Sequence, residues 1–149
     1  MKINSIHESI RIYGSQIKGC KIPESAHMIT FFNTLRREYP EYAKCCLHIR
    51  NEGKRTRQQI EREKAEGFVT GASDIILVAS LSFVCEMKSQ SPSAKISQEQ
   101  IDFLLSAQSL GAFVCIALGH KAAIEAFNDW QKCLTSENIL FILARLQHE

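Results

Sequence analysis

The chain has 149 residues, of which 45% are hydrophobic and 23% charged, and its formal net charge is +2. The length suits one domain, residues 1–149, with a sizeable core, and the composition is that of an ordinary globular protein rather than a disordered or fibrous chain. So small a charge excludes bulk attraction to polyanions, so any nucleic-acid contact has to come from local clustering.

The six cysteines form no CxxC pair, and no histidine stands at zinc-finger spacing from them, so they read as reduced, buried thiols. No signal peptide and no bilayer-length apolar run is present, which predicts a cytoplasmic protein with no membrane partner.

Residues 1–22 mix isoleucines with polar residues and glycines, and predict a short strand or an irregular arm. Pro23-Glu24-Ser25 opens a helix whose apolar stripe is Met28, Ile29, Phe31, Phe32 and Leu35, and Tyr39-Pro40 ends it. Glu24 falls in its first turn, where an acid complements the helix dipole. Cys45 to Ile49 predicts the first core strand. It leads into the most basic window of the chain, Arg50-Asn51-Glu52-Gly53-Lys54-Arg55-Thr56-Arg57. Thr56 is a candidate N-cap for the helix that follows, and a basic turn entering a helix N-terminus suits phosphate. The bland alternative is a solvated face balanced by Glu61, Glu63 and Glu66.

Two apolar runs come next, Ile75 to Val78 and Phe83 to Cys85, separated by a break short enough for a hairpin loop. Asp74, Glu86 and Lys88 do not fit a plain buried hairpin, because buried charge is costly unless paired or metal-bound. A hairpin centred near Ser80 places Asp74 opposite Glu86, and Lys88 shares the face of Glu86. Two acids and one amine then converge. Opposed acids need a positive partner, and a hard divalent cation such as Mg²⁺ is bound by carboxylate oxygen. Carboxylates holding a metal beside a lysine are the requirements of metal-assisted phosphodiester hydrolysis.

Ser89 to Ala94 predicts a mobile loop bordering this cleft, and Lys95 at its end is placed to touch phosphate. Ser97 and Gln100 have capping-box spacing, and Ile101, Leu104, Leu105 and Leu110 give the buried side of the helix they start. Gly111 ends that helix. Ala112 to Leu118 predicts a strand covered on both faces. A helix from Gly119-His120 carries Phe127 and Trp130, and a separate C-terminal helix is predicted from Ser136, over residues 136–147, to be packed on the domain or used in self-association. His120 reads as ordinary surface rather than a catalytic base.

Five pieces occur in a fixed order: Asn51-Glu52-Gly53-Lys54-Arg55, Gly71-Ala72-Ser73-Asp74, Phe83-Val84-Cys85-Glu86-Met87-Lys88, Lys95-Ile96-Ser97-Gln98-Glu99-Gln100, and Leu110-Gly111-Ala112-Phe113-Val114-Cys115. Over residues 24–130 this order resembles a VRR-NUC domain of the PD-(D/E)XK nuclease superfamily, of the small stand-alone type found in phages and bacteria. Ser73 departs from the family's usual proline, a residue that shapes a turn and is not a ligand. The resemblance implies an α/β fold, a central mixed sheet flanked by helices with a restriction-endonuclease-like core. It implies a Mg²⁺- or Mn²⁺-dependent deoxyribonuclease, with branched or Holliday-junction DNA as a substrate. Asp74 and Glu86 would bind the metal with the Met87 carbonyl, and Glu24 would stand near it. Lys88 would position or activate the attacking water and steady the developing charge, and Gln100 would orient Lys88 or the water. Arg50, Asn51, Lys54, Arg55, Arg57 and Lys95 would hold the DNA backbone, and a homodimer would be needed to cut both strands. Two readings compete with this one: a non-catalytic DNA-binding module on the same fold, and a structural protein whose charged trio is a buried ion-pair cluster.

Overall fold

The computed structural model describes Ile3, residues 8–49 and residues 56–146, with side chains as far as Thr135. Among these the chain runs β1 (Arg11–Tyr13), α1 (Glu24–Glu38), α2 (Pro40–Ala43), β2 (Cys46–His48), α3 (Arg57–Ala65), β3 (Ile75–Leu77), β4 (Phe83–Lys88), α4 (Gln98–Ser109), β5 (Phe113–Leu118) and α5 (His120–Leu146). The strands form one mixed sheet in the order β1-β5-β4-β3-β2. β4 and β5 are parallel, joined through α4, and β3 pairs antiparallel with β4.

Helices cover both faces, so β5, and β4 as far as Cys85, are apolar rather than alternating. On one face α1 and α5 bury Phe31, Leu35, Phe127 and Trp130 against Phe83, Cys85 and Met87. On the other, α4 lays Ile101 and Leu104 on Val84, Val114 and Ile116. Tyr39, Tyr42, Phe83 and Trp130 surround Phe127, with ring centroids 4.9–6.0 Å from it. The Trp130 indole N–H donates to the Leu81 carbonyl at 2.7 Å, so the one polar atom of that ring is satisfied.

The hairpin register is Ile75 with Cys85, Ile76 with Val84 and Leu77 with Phe83, which continues to Asp74 opposite Glu86 as the spacing predicts. Of the two readings of residues 1–22, the short strand holds: residues 11–13 add parallel to β5. Other details differ from the sequence reading. Leu110, expected on the buried side of α4, follows its last turn and is 88% exposed, and of the six cysteines expected to be buried, Cys45 and Cys133 are exposed and Cys20 half-buried. β2 lies at the sheet edge rather than in the core, with Cys46 alone buried. Ile29 is 63% exposed, because it sits one step off the 28, 31, 32, 35 stripe of α1. The two helices expected after β5 are one, α5. No glycine or proline interrupts residues 120–146, and the Thr135 hydroxyl donates back to the Gln131 carbonyl at 2.9 Å instead of stopping the helix.

Candidate active site

β4 is buried along its whole length, and its even-numbered side chains share one face. Val84 packs under α4, but Glu86 and Lys88 continue the same row with charge. Glu86 is 0% exposed and Lys88 9% exposed. The Lys88 ammonium donates to Glu86 Oε1 at 2.8 Å, and the Gln100 amide donates to the same oxygen. Glu86 Oε2 is buried with no hydrogen-bond partner in place among the described residues, and the Asp74 carboxyl is close enough to shift Glu86 through a side-chain hydrogen bond. Asp74 lies just ahead of β3, and its Oδ2 accepts the Met87 backbone N–H at 3.1 Å. A strand residue's N–H and C=O point to the same edge, so the Met87 carbonyl faces the Asp74 side as well.

Gln100 serves two ends. Its Oε1 accepts the Ser97 N–H at 2.9 Å, while Ser97 Oγ accepts the Gln100 N–H at 3.2 Å, a full capping box. Its Nε2 is thereby free to reach Glu86. The helix dipole and both halves of the side chain thus fix one rotamer over the carboxylate. Gly71 brings the Asp74 loop to the same place. It has φ +79°, and a β-carbon there would lie 2.4 Å from the Glu99 backbone carbon, so only glycine lets the loop touch the start of α4.

The electrostatics follow from burial. Loss of water pushes the Glu86 carboxyl up to about 8, and the neighbouring Asp74 charge adds to that. Burial also raises Asp74, against the opposing pull of Lys88. Burial works against the Lys88 ammonium, but the charges of Glu86 and Glu24 outweigh it and hold Lys88 protonated above its ordinary value. Glu24, in the first turn of α1, is thereby tied electrostatically to the site.

The structure therefore brings together Asp74, Glu86, Met87, Lys88 and Gln100, with Glu24 acting on Lys88. Arg57 is exposed and pairs with Glu61 at 3.3 Å. Lys95 is exposed at the end of the loop after β4. Arg50, Asn51, Glu52, Lys54 and Arg55 lie outside the described residues. Among the described residues, no three His, Cys, Asp or Glu side chains converge on a common metal position, so the donors on offer are two carboxylates and a backbone carbonyl.

Sequence reasoning missed His27. It is buried, and its Nδ1 lies 3.0 Å from His120 Nδ1. The His120 backbone N–H also points to His27 Nδ1, at 3.4 Å, which makes that nitrogen the acceptor and leaves the proton on Nε2, which is buried and has no partner among the described residues. The signal was available, since position 27 stands four before Phe31 on the buried stripe. Ser73 stands where the resembled family has its turn-shaping proline. It is fully buried, and its hydroxyl has no partner among the described residues.

No protein-family model matches the sequence, and no curated protein does. Among solved structures, a "VRR_NUC domain protein" superposes with a TM-score of 0.65 over 76% of this chain and 91% of the other, at 14% identity. The chain has the fold of a VRR_NUC domain protein. That fold places a mixed sheet between helices, and in this chain the acids and the lysine stand at the end of β4 where Asp74 meets it.

Proposed function

We propose that this protein is a divalent-metal-dependent endonuclease that hydrolyses DNA phosphodiester bonds, with branched DNA as its substrate. The observation that carries this reading is the pairing of two carboxyls: Glu86 is fully buried with one oxygen clasped by Lys88 and Gln100, and the half-buried Asp74 carboxyl stands beside it. Two adjacent carboxyls out of water disfavour each other's charge, so the metal-free pair holds a proton that a cation would displace. Such a cation would sit between Glu86 and Asp74. Two carboxylates and a carbonyl are a hard, oxygen-only donor set, which suits Mg²⁺ or Mn²⁺, with substrate phosphate completing the shell. When bound, the ion supplies Lewis-acid activation of water and of the phosphate.

The side chains supply the rest. Asp74, Glu86 and the Met87 carbonyl hold the ion. Lys88, kept as an ammonium, faces the negative charge that grows on the phosphate during attack and does not act as the base. Gln100 keeps Glu86 in one rotamer and so fixes the place of Lys88. Glu24 adds negative charge on the α1 side of Lys88. One chain carries one such site, so cleavage of both strands at a junction calls for a two-fold pair.

Linear, nicked and four-way DNA incubated with purified protein should be cut in Mg²⁺ or Mn²⁺ and left intact in EDTA. Asp74→Asn should abolish cutting. Lys88→Ala should lower the rate by about 10²–10³-fold, the usual effect of losing one charge-stabilising donor. Cleavage that survives EDTA or Asp74→Asn removes the mechanism, and binding without cleavage favours a DNA-binding module instead.

A further inference from the structure

Three separate segments meet at the end of β4, and Gln90 joins them. Its carbonyl accepts the Ile17 N–H at 2.7 Å, and its side chain reaches the Ser15 carbonyl at 3.4 Å. A β-carbon on Gly119 would lie 3.0 Å from that same side chain, and the Gly119 N–H donates to the Lys88 carbonyl at 2.9 Å. Gln16 donates to the carbonyls of Ser91, Pro92 and Ala94 at 3.2–3.4 Å. Gly14 fits only without a side chain, since a β-carbon there would stand 2.8 Å from Ala122 Cβ and 2.9 Å from the Leu118 carbonyl. The serine-rich loop expected to be mobile is therefore tied to the N-terminal arm, and the arm is seated on the start of α5.

Each of the three segments carries a lysine at this junction. Lys18 follows Ile17, Lys95 follows Ala94, and Lys121 stands two residues after Gly119. Lys21 comes one short turn later, where the Cys20 N–H returns to the Ile17 carbonyl at 3.1 Å. All four are exposed, and none has a carboxylate partner among the described residues. Elsewhere several cations are closed onto acids: Arg37 on Glu38, Lys44 on Glu41, Arg62 on Glu66, Lys132 on Asp129, while Arg36 turns to Asn33 and the Phe32 ring. Glu24, in the first turn of α1, acts on Lys88.

We infer that the arm, the loop after β4 and the first turn of α5 form a track for the DNA sugar-phosphate backbone, with Lys18, Lys95 and Lys121 as its phosphate contacts and Lys21 extending it. This rests on the nuclease reading, because the track is assigned to DNA by its place beside Lys88. Exposed cations without carboxylate partners, on three segments held in mutual contact, give this edge a local positive potential that favours a polyanion laid along it. The contacts carry no base readout, so they supply affinity and orientation to either side of the cut phosphate.

The test is binding of the full chain to labelled duplex and four-way DNA in EDTA, followed by anisotropy over a salt series. Lys18→Ala/Lys95→Ala/Lys121→Ala should lower the slope of log K against log salt by about 0.9 per lysine, about 2.7 in all. Affinity should fall at least about tenfold at low salt, with the melting temperature unchanged because the three side chains are exposed. Arg37→Ala/Arg62→Ala, which removes two cations elsewhere, should leave slope and affinity as they were. A triple variant with the parent slope, or an equal loss in the control, overturns the track. If the parent cuts DNA while the triple variant binds normally, the track alone falls. If the parent neither binds nor cuts DNA, the nuclease reading falls with it.

Discussion

On one face of β4, Phe83, Cys85 and Met87 are enclosed by α1 and α5 among aromatic rings, and these apolar side chains need no partner from outside. On the other, Val84 gives way to Glu86 and Lys88, equally buried but left with an acceptor that no part of the described chain satisfies. One six-residue strand thus carries both a finished core and an unfinished polar site. The first face is stable because burial of apolar surface is non-directional and forgiving. The second depends on a few directed bonds, from Lys88, from Gln100 and from Met87 to Asp74. Stability should therefore reside mainly on one side of the strand and activity on the other.

The largest effect should come from breaking the finished side. Phe127→Ala removes the ring at the centre of the aromatic group and leaves a cavity, at a cost of about 3–5 kcal/mol. For a chain of this length that lowers the melting temperature by roughly 10 °C, read by calorimetry, while the cleavage rate of the still-folded fraction should stay near the parent's. A smaller effect should separate the faces from the other direction. Gln100→Ala leaves the apolar core untouched but releases Glu86, and cleavage or metal affinity should fall about 10–100-fold, as for loss of a group that orients a metal ligand. The same change removes half of the capping box, worth about 1 kcal/mol, so melting should shift by only a few degrees. Equal loss of stability and activity in both variants would show that the two faces are one unit.

The sequence made the second face more legible than the first. The register of Asp74 and Glu86 follows from counting alone, because the strand period is two and the hairpin has a definable centre. Gln100 had two competing readings, cap or site, and both are correct, since an amide has two ends and each finds its own partner. What counting could not supply was contact between segments distant in the chain. Gln16 reaching residues 91–94, and His27 meeting His120, join stretches about 75 and 93 residues apart. No local pattern encodes them. The long α5 was misread because Ser136-Glu137 is a good start signal in isolation, but a helix already under way with no glycine or proline does not stop at one.

The finest test uses protons, and the two faces should answer it with opposite sign. Glu86 is raised from 4.5 to about 8 by burial and by Asp74, so the metal-free fold holds its proton more tightly than the unfolded chain does. That contribution is fully present below 4.5 and is lost as pH rises through about 8, with a slope of up to about 1.4 kcal/mol per pH unit. His27 is lowered from 6.5 by burial and by His120, so the fold favours its neutral form. Its contribution is present above 6.5 and is lost as pH falls through the depressed value. Below 6.5 the two slopes oppose each other, so melting temperature in EDTA should change little there and decline as pH rises from 6.5 to about 8. Glu86→Gln should flatten that alkaline limb, and His27→Gln should extend the decline to lower pH. Mg²⁺ should raise the alkaline limb of the parent, because a cation binds the ionised carboxylate and displaces its proton, and should do little for Glu86→Gln. An alkaline limb that persists in Glu86→Gln, or Mg²⁺ stabilisation that is the same at every pH, would mean that the buried acid is not where the ion binds.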